Sequence, residues 1–457
     1  MTELSQLAVV GAGPAGMAAA VEAAGLGLPV TLIDVFPRPG GQYFRQTPPE
    51  LEAVPTVDEQ GRRLLAGLEQ SLISVLPGTV VWGIFSEGDS YLLCLYGPAG
   101  TPRRLKARAV ILAPGAYDRP VPFPGWTLPG VMTAGAALAM VKHQKIRPGH
   151  RILLSGTGPL QLVLARHLLE AGAEITGILD ANRFPWQAWR HARAVWGQWE
   201  RLGEGWQAWR VMRQAGVGIR WGHVVLRAEG DRQLEWVTIG PVDGSTSEIA
   251  PADTLCLGHG FMPGIQLSRL AGCEHQYRPE QAAYVPMRDE WLSTTLAGLF
   301  VAGDGAGIGG KDVAQLEGRL AALGAARHLG GTVPPDRVSA LRRDLARQRR
   351  FAAVLDALFP LSSHLGDLLT DDTILCRCEE VTVGDVRRAI DEGAGTVSAI
   401  RMLTRAGMGR CQGRMCGHSV AELLARQLDR PVETVGQATP RPPVIPVPLQ
   451  GMLEEDD

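Results

Sequence analysis

Cysteine is scarce in this 457-residue sequence, which contains seven of them, and aromatic residues make up only 6% of it. Four of the seven cysteines are concentrated near the end of the chain, at Cys376, Cys378, Cys411 and Cys416. A disulfide scaffold would instead spread paired cysteines through a short secreted domain. The clustering therefore predicts a bound metal or redox centre, and the other three cysteines are expected to be buried single residues.

Long apolar runs and blocks of like charge are also absent, and we expect no leader sequence. Every extended apolar stretch is interrupted by Gly, Pro or Glu22, so we expect no membrane span. The net charge of -2, without a charged tail, gives no indication of nucleic-acid binding. Because "MTELSQLAVV" has neither a basic region nor a cleavage site, we expect a cytoplasmic protein. Peripheral association with the inner face of the membrane stays open.

The first part of the sequence carries a dinucleotide-binding pattern. The segment "LAVVGAGPAGMAAAVEAAGLGLPVTLID" indicates a strand, a glycine turn, an alanine-rich helix and a second strand. Glycines in such a turn let the backbone approach a pyrophosphate at the helix N-terminus, and an acid after the second strand can accept hydrogen bonds from a ribose. The residues predicted to contact the dinucleotide are Gly11, Gly13, Pro14, Ala15, Gly16 and Asp34.

Three further motifs follow in the chain. "RPGGQY" supplies Gly41 and Gln42, "VILAPGAYDRP" supplies Gly115, and "LFVAGDGAGIGG" supplies Gly303 and Asp304. Together with the glycine turn, they resemble the flavoproteins that contain two dinucleotide-binding domains, over roughly residues 5 to 330. The resemblance implies bound FAD, with Asp304 at the ribityl and phosphate region of the flavin.

A second nucleotide-like unit begins at "HRILLSGTGPLQLVLARHLLEAGAEITGILDA", where Gly156 and Gly158 follow a strand and a later strand ends at Asp180. In the flavoproteins that it resembles, this inserted domain holds NAD(P)H. Gln161 stands where the pattern has its third glycine, and its side chain would crowd the contact between helix and strand. Three alternatives stay open: a nicotinamide site, a site for another nucleotide, and a fold that is retained without a nucleotide.

Tryptophan is concentrated in "WQAWRHARAVWGQWERLGEGWQAW", which contains six of the eleven in the chain, at Trp186, Trp189, Trp196, Trp199, Trp206 and Trp209. At helical spacing these residues spread around the axis, and Gly203 and Gly205 are expected to break the helix. We interpret the segment as a helical insertion packed on its domain. The alternative is a subunit interface, because Trp and Arg are frequent anchors of docking surfaces.

The cysteine region is predicted to be helical. Thr382 with Asp385 indicates a helix-opening cap, and further helices are expected in "VSAIRMLTRAG" and "SVAELLARQL". The cysteines would then lie in loops and at helix starts. Backbone N–H groups without helical partners, together with the helix dipole, favour negatively charged sulfur at such places.

Cys-x-Cys followed by Cys-x4-Cys supplies the four ligands of a [2Fe-2S] cluster. A structural zinc also takes four thiolates, but its usual pairs have two residues between the cysteines, so the spacing favours iron and sulfide. The segment resembles the small domains named after the bacterioferritin-associated ferredoxin, which implies a [2Fe-2S] cluster. No CxxC pair lies near the flavin motifs, which excludes disulfide chemistry of the glutathione reductase type.

The order of motifs predicts an α/β fold with two dinucleotide-binding domains: a Rossmann-like FAD domain that contains an inserted second domain, followed by a small helical [2Fe-2S] domain. The predicted boundaries are 1–121 and 287–330 for the FAD domain, 122–286 for the inserted domain, 331–370 for a helical connector, 371–430 for the [2Fe-2S] domain and 431–457 for a Pro-rich arm. We expect the arm to be extended, either as a disordered end or laid on another subunit.

This domain order resembles, over nearly the whole chain, the larger flavin and iron-sulfur subunit of bacterial dye-linked amino-acid-type dehydrogenases. That family includes opine oxidases, hydrogen cyanide synthase and D-hydroxyproline dehydrogenases, and the sarcosine oxidase alpha chain is a more distant relative. The resemblance implies an oxidoreductase acting on CH-NH donors. A smaller flavoprotein partner would oxidise an amino acid, imino acid or opine, and this chain would pass the electrons to a quinone, cytochrome or dye-like acceptor. Whether FMN binds at the subunit junction stays open.

Electron transfer requires no acid or base, so we predict no catalytic residue. Lys311, Asp312 and Gln315, which follow the Gly303 motif, are interpreted as a helix cap and its solvated face. Three histidines lack the spacing of metal ligands: His143, His259 and His275. Two other functions stay open. One is a self-sufficient NAD(P)H-dependent reductase, and the other is a non-catalytic scaffold that binds zinc.

Overall fold

The computed structural model describes residues 3–48, 50, 57–98, 102–186, 190 and 197–452. The chain forms two compact units. The first unit consists of Met1–Tyr117, Met262–Ala353 and Pro440–Asp457, and the second consists of Asp118–Phe261 and Val354–Thr439. No helix in the described part of the chain is long and apolar enough to cross a membrane.

The strands of the described residues are β1 (Glu3–Val10), β2 (Val30–Ile33), β3 (Ile73–Leu76), β4 (Val80–Glu87), β5 (Ser90–Tyr96), β6 (Pro102–Leu112), β7 (Ala116–Asp118), β8 (Val131–Thr133), β9 (Arg151–Gly156), β10 (Glu174–Asp180), β11 (Ile219–Trp221), β12 (His223–Glu229), β13 (Trp236–Pro241), β14 (Glu248–Pro251), β15 (Thr254–Gly258), β16 (Phe261–Pro263), β17 (His275–Arg278), β18 (Ala283–Pro286), β19 (Leu299–Val301), β20 (Ile374–Cys376) and β21 (Val381–Thr382). The α-helices are α1 (Pro14–Gly25), α2 (Glu59–Gly67), α3 (Ala134–Ala139), α4 (Leu160–Glu170), α5 (Trp199–Gln214), α6 (Gln266–Leu270), α7 (Lys311–His328), α8 (Pro335–Leu358), α9 (Val383–Asp391), α10 (Val397–Thr404) and α11 (Gly417–Gln427).

The first unit is built on a seven-stranded sheet in the order β3-β2-β1-β6-β5-β4, with β19 also paired to β6. Strands β1, β2, β3, β6 and β19 pair in parallel, whereas β4 and β5 are antiparallel. Helices α1 and α7 pack so closely that a side chain at Gly318 would come within 2.0 Å of the carbonyl oxygen of Ala15. Because β1, β6 and β19 run in parallel, the loops that follow β1 and β19 leave the sheet at the same end. These loops contain the two predicted FAD segments.

The second unit contains a parallel five-stranded sheet in the order β11-β10-β9-β15-β8 and an antiparallel sheet of β12, β13 and β14. The cysteine region consists of the β20–β21 hairpin and helices α9 to α11, which share one apolar core. The predicted cap of α9 is confirmed, because the Thr382 hydroxyl accepts from the Asp385 N–H at 3.1 Å and the Asp385 carboxylate accepts from the Thr382 N–H at 3.0 Å.

Residues 262–286 lie in the first unit, although the sequence placed the end of the inserted domain at 286. Helix α6 and the turn after it explain the difference. Leu267 and Cys273 are buried in the same apolar cluster as Leu93 and Leu105 of the first sheet. Because these side chains bury apolar surface against the first sheet, the chain returns to the first unit directly after β15.

Helix α5 runs without interruption through Gly203 and Gly205, so the expectation that these glycines break it is wrong. Ala208 and Met212 are buried on its inner face, and such tertiary packing outweighs the roughly 1 kcal/mol that each glycine costs in a helix. Trp186, Trp199 and Trp206 are 79%, 62% and 64% exposed. Trp189 and Trp196 lie outside the described residues.

The Pro-rich arm lies against the first unit's own sheet. The N–H of Val444 donates to the carbonyl oxygen of Trp82 at 3.0 Å, and Val444 is buried in the core of that unit. A side chain at Gly451 would come within 2.3 Å of the Tyr96 ring. Residues 440–452 are therefore ordered against this sheet, and the expectation of a disordered end is wrong for them. The arm covers the outer edge of β4, a place where an unpaired strand would be open to aggregation.

Candidate cofactor sites

The loop between β1 and α1 is shaped by close backbone approaches. Gly11 has φ +102°, and a side chain there would come within 2.2 Å of the Ala113 carbonyl oxygen. A side chain at Gly16 would come within 1.7 Å of the carbonyl oxygen of Gly11. Helix α1 begins at Pro14, which has no N–H to leave unpaired at this position. The predicted residues therefore form an open cradle at the N-terminus of a helix.

Gly41 lies directly against this loop. It has φ +61°, and a side chain there would come within 2.7 Å of the Gly13 Cα atom. Gln42, its predicted neighbour, is exposed at the turn. The structure thus brings Gly13 and Gly41 together, and two glycines facing each other leave space for the flat or charged groups of a dinucleotide.

Asp34 follows β2 and is buried beside the glycine loop. Its carboxylate accepts hydrogen bonds from the N–H of Ala12 and, at 2.7 Å, from the N–H of Phe36. Burial raises the pKa of Asp34, and the two N–H groups together with Arg45 partly offset that increase. A carboxylate has about four acceptor positions, so two remain for the ribose hydroxyls that the sequence predicts.

The turn at Gly303 and Asp304 comes from the far end of the sequence and lies against the start of α1. Gly303 has φ +73°, and a side chain there would come within 2.8 Å of the Ala15 methyl group. Oδ1 of Asp304 accepts from the N–H groups of Gly309 at 2.9 Å and Gly310 at 3.0 Å. Gly115 is close as well, because its carbonyl oxygen is 3.5 Å from where Gly305 would carry a side chain.

Two residues of α7 differ from the predicted solvated face. Lys311 is 14% exposed, with Nζ 3.1 Å from Oδ2 of Asp58 and 4.8 Å from the ring centre of Tyr43. Burial alone would lower the pKa of Lys311, but Tyr43 and Asp58 raise it. Gln315 is buried, and its Nε2 has no hydrogen-bond partner among the described residues. A buried donor without a partner, on the helix that follows the Gly303–Asp304 turn, fits a ligand with acceptor atoms, as FAD has.

The glycine loop of the second unit is also bound to a buried acid, Asp180. The N–H of Gly158 donates to Asp180 at 3.4 Å, and a side chain at Gly158 would come within 3.7 Å of Phe359. Gln161 is 2% exposed, and neither polar atom of its amide has a partner among the described residues. Its Cγ is 3.5 Å from where Gly258 would carry a side chain. The buried Gln161 side chain therefore lies at the contact between α4 and β15, where the pattern has its third glycine.

The four clustered cysteines come together from a hairpin, a loop and a helix start. Cys376 ends β20, Cys378 follows it, Cys411 lies in the loop after α10, and Cys416 precedes α11. Cys376 and Cys416 are buried, whereas Cys378 is exposed. The N–H of Gly407 donates to Sγ of Cys376 at 3.4 Å, a contact that stabilises a negatively charged sulfur.

The sulfurs form two pairs. The hydrogen bond with Cys416 and the neighbouring N–H groups lower the pKa of Cys376 to about 5, and the same pairing raises the pKa of Cys416. Burial raises the pKa of Cys378, which contacts Cys411. Nowhere in the described chain do three or more His, Cys, Asp or Glu side chains lie close enough to hold one metal ion. Four thiols from these three segments can supply the two thiolates that each iron of a two-iron cluster takes.

Two glycines of this site were missed in the sequence. A side chain at Gly407 would come within 3.8 Å of Sγ of Cys416, and one at Gly409 within 2.3 Å of Cβ of Cys378. The signal was present in "RAGMGRCQGRMCGH", where glycines alternate with the ligands. Glycines at these positions leave room around the sulfurs and expose backbone N–H groups toward them.

Two known protein families match the chain. The pyridine nucleotide-disulphide oxidoreductase family matches residues 5–326, and the BFD-like [2Fe-2S] binding domain matches residues 374–426. The chain is therefore an oxidoreductase-type flavoprotein that binds FAD and a [2Fe-2S] cluster. The predicted fold class and both of these cofactors are confirmed.

Individual relatives narrow the class. One of the opine oxidase subunits of Agrobacterium tumefaciens (strain Ach5) is 37% identical over 468 residues, which cover 98% of this chain and 91% of that protein. Hydrogen cyanide synthase subunit HcnB of Pseudomonas aeruginosa is 33% identical over 455 residues, 96% of this chain and 97% of that protein. The chain belongs to the family of flavin and iron-sulfur subunits that includes these two proteins. The crystal structure of L-proline dehydrogenase from P. horikoshii shares the fold, with TM-score 0.75 and 20% identity over 99% of this chain and 81% of that one.

Proposed function

We propose that this chain is the electron-transfer subunit of a heteromeric dehydrogenase, in which a smaller flavoprotein subunit oxidises the C-N bond of an amino acid, imino acid or opine. The observation that carries the proposal is the presence of an FAD cradle and a paired-cysteine site in one chain that is similar, along its length, to subunits of opine oxidase and hydrogen cyanide synthase. The acceptor is a quinone, a cytochrome or a dye-like molecule.

The reaction assigned to the partner converts a C-N single bond into a C=N bond, which releases two electrons and two protons from the substrate. FAD supplies two-electron chemistry and can release electrons singly, whereas a [2Fe-2S] cluster supplies one-electron transfer. The residues of this chain hold both groups and need no acid or base of their own. Near the flavin turn, Asp304 is bound to two N–H groups and Lys311 to Asp58, which supports a role in binding and not in proton transfer.

The rival function, a reductase that takes hydride from NAD(P)H, requires a dinucleotide at the Gly156–Gly158 loop. Gln161, buried where the pattern has its third glycine, counts against such a site. The other rival, a zinc-binding scaffold, is disfavoured by the cysteine spacing and by the match of residues 374–426 to the BFD-like [2Fe-2S] binding domain.

The test is anaerobic visible spectroscopy of the purified full-length chain. We expect no loss of the flavin absorbance within a few minutes of adding NADH or NADPH, and none with glycine, L-proline or an opine, because the substrate pocket belongs to the partner. After reduction with dithionite, a quinone analogue or ferricyanide should restore the flavin and cluster bands. Rapid bleaching by NADH would instead establish the self-sufficient reductase.

The same preparation tests the remaining cofactor questions. Metal and sulfide analysis should find iron and acid-labile sulfide in equal amounts, as a [2Fe-2S] cluster requires. Chromatography of the released flavin should find FAD in the isolated chain. FMN should appear only when the partner subunit is co-purified, if it binds at their junction.

A further inference from the structure

A buried acid, Glu317, lies beside the Gly303–Asp304 turn. Its side chain is 4% exposed, and Oε2 accepts a 2.9 Å hydrogen bond from the N–H of Gly303. Oε2 is also 2.8 Å from Nη1 of Arg288, and Oε1 is 2.7 Å from Nη2 of Arg349. One carboxylate thus joins the turn, the segment that contains Arg288, and helix α8.

We propose that Glu317 is a positioning residue for the flavin: together with Arg288 and Arg349 it fixes the Gly303–Asp304 turn and sets the local charge beside the FAD. The inference rests on the FAD placement at this turn that the proposed function uses. It adds a residue that neither the glycine motifs nor the cysteines indicate.

Arg288 and Glu317 bind the backbone on both sides of the turn. Arg288 donates to the carbonyl oxygen of Val301 at 2.8 Å, just before the turn, while Glu317 accepts from the N–H of Gly303 within it. On the side of α1, the turn packs so closely that a side chain at Gly303 would come within 2.8 Å of the methyl group of Ala15. A change at Glu317 would therefore move the backbone that carries Asp304 relative to the dinucleotide cradle.

Glu317, Arg288 and Arg349 also place charge beside the Gly303–Asp304 turn. Burial would raise the pKa of Glu317, but Arg288 and Arg349 outweigh it, and the pKa is lowered. Glu317 is therefore ionised at neutral pH, and its charge adds to burial in raising the pKa of Asp304. Neutralising Glu317 would leave both arginines uncompensated, whereas removing one arginine would make the region more negative. Charge close to a flavin tunes its electronics, and positive charge favours the electron-rich reduced form.

The chain contains a matched control, Glu22 of α1. Its side chain is also 4% exposed, and it also binds two arginines, with Nε of Arg319 at 3.0 Å and Nε of Arg337 at 2.7 Å. Arg337 and Arg349 both belong to α8, so both acids attach this helix to the same unit. In the described part of the chain, the oxygens of Glu22 contact these arginines and no N–H group of the flavin turn.

The experiment compares E317Q with E22Q in the full-length chain, purified with its cofactors. The readouts are the dissociation constant of FAD, measured by the fluorescence of released flavin, and the flavin midpoint potential, measured by spectroelectrochemistry. We expect FAD to bind roughly tenfold more weakly to E317Q alone, because a charge-assisted hydrogen bond is about twice as strong as a neutral one. The midpoint potential should rise in E317Q and stay unchanged in E22Q. Equal FAD affinity and equal potential in the two variants would overturn the proposal.

A second pair decides the question even if E317Q does not fold. Arg349 and Arg337 have side chains that are 46% and 42% exposed, so R349Q and R337Q disturb α8 to a similar degree. We expect R349Q to lower the flavin potential and R337Q to leave it unchanged. Because both variants disturb α8 to a similar degree, a fall in R349Q alone reports the loss of positive charge beside the flavin turn. Equal potentials in R349Q and R337Q would refute the positioning role. Neither readout needs a partner or an acceptor, so these results are independent of whether electrons flow as proposed.

Discussion

The indole Nε1–H of Trp126 donates a 2.6 Å hydrogen bond to the carbonyl oxygen of Ile374. Trp126 is buried beside the sheet of the inserted domain, and Ile374 begins the strand that ends at Cys376. Met415, next to Cys416, packs against the same apolar cluster as Trp126. The inserted domain therefore contacts the [2Fe-2S] site both near Cys376 and next to Cys416. This support does not depend on what the glycine loop of the inserted domain binds.

Replacing Trp126 by Phe should destabilise the cluster site. The change removes one buried hydrogen bond and part of a ring, a loss of about 1–3 kcal/mol. We expect the cluster absorbance of W126F to decay faster than that of the unmodified chain during anaerobic heating. W236F is the control, because Trp236 is 40% exposed and its Nε1 reaches Glu229 at 3.2 Å on the surface. Identical decay rates in the two variants would show that the Trp126 contact does not support the site.

Alanine at any of the four clustered cysteines should abolish the [2Fe-2S] cluster. One of the two irons loses one of its two protein ligands, so the cluster is no longer held by four thiolates. Iron analysis and the visible spectrum check the result. C256A is the control, because Cys256 is as buried as Cys376 and Cys416 but lies in the apolar core around α4. An unmodified chain with one zinc ion and no labile sulfide would contradict the iron-sulfur assignment.

Gly41→Ala should release FAD. The new methyl group would lie 2.7 Å from Cα of Gly13, so the cradle must open for the side chain to fit. Gly27→Ala provides the comparison, because Gly27 has φ +80° but nothing within 4 Å of the added methyl group. Both variants should lose about 1–2 kcal/mol of stability from backbone strain. Only G41A should lose FAD on desalting, measured from the ratio of flavin to protein absorbance. Equal retention of FAD in the two variants would show that the contact between Gly41 and Gly13 does not shape the FAD site.

Local motifs made much of this structure predictable. Gly11 and Gly16 belong to a single strand-turn-helix unit, so residues that are close in the sequence predict the dinucleotide-binding turn. The cysteine pairs are equally local, and the capping residues Thr382 and Asp385 are three positions apart. In each case the sequence distance is short enough for the spacing to determine the geometry.

Contacts between distant segments were not predictable. In the sequence, Glu317 cannot be distinguished from any other acidic residue of a helix. Its role depends on Gly303 and Arg349, which only the fold brings next to it. Phe359 faces Gly158 only because the chain returns to the inserted domain after α8. The Pro-rich arm likewise gave no sign of its partner at Trp82, since an extended segment can lie on any open sheet edge.

His259, which follows β15, gives the chain a predictable pH dependence. It is 4% exposed, and Nδ1 has no hydrogen-bond partner among the described residues. Burial and then the charge of Arg119 lower the pKa of His259 from 6.5 to about 4. Between these two values the unfolded chain binds a proton that the folded chain does not. The free energy of unfolding is therefore highest above pH 6.5 and falls as the pH drops toward 4.

His259→Gln should remove this contribution, because glutamine does not titrate. Urea unfolding at pH 7.5 and pH 4.5 measures the loss of stability on acidification, which we expect to be smaller in H259Q by up to about 3 kcal/mol. H364Q is the control, since the His364 side chain is 62% exposed and should leave the loss unchanged. Other buried histidines, such as His275, contribute equally to all three proteins and cancel in the comparison. If H259Q loses as much stability as the unmodified chain, the neutral buried imidazole is not what makes the fold sensitive to acid.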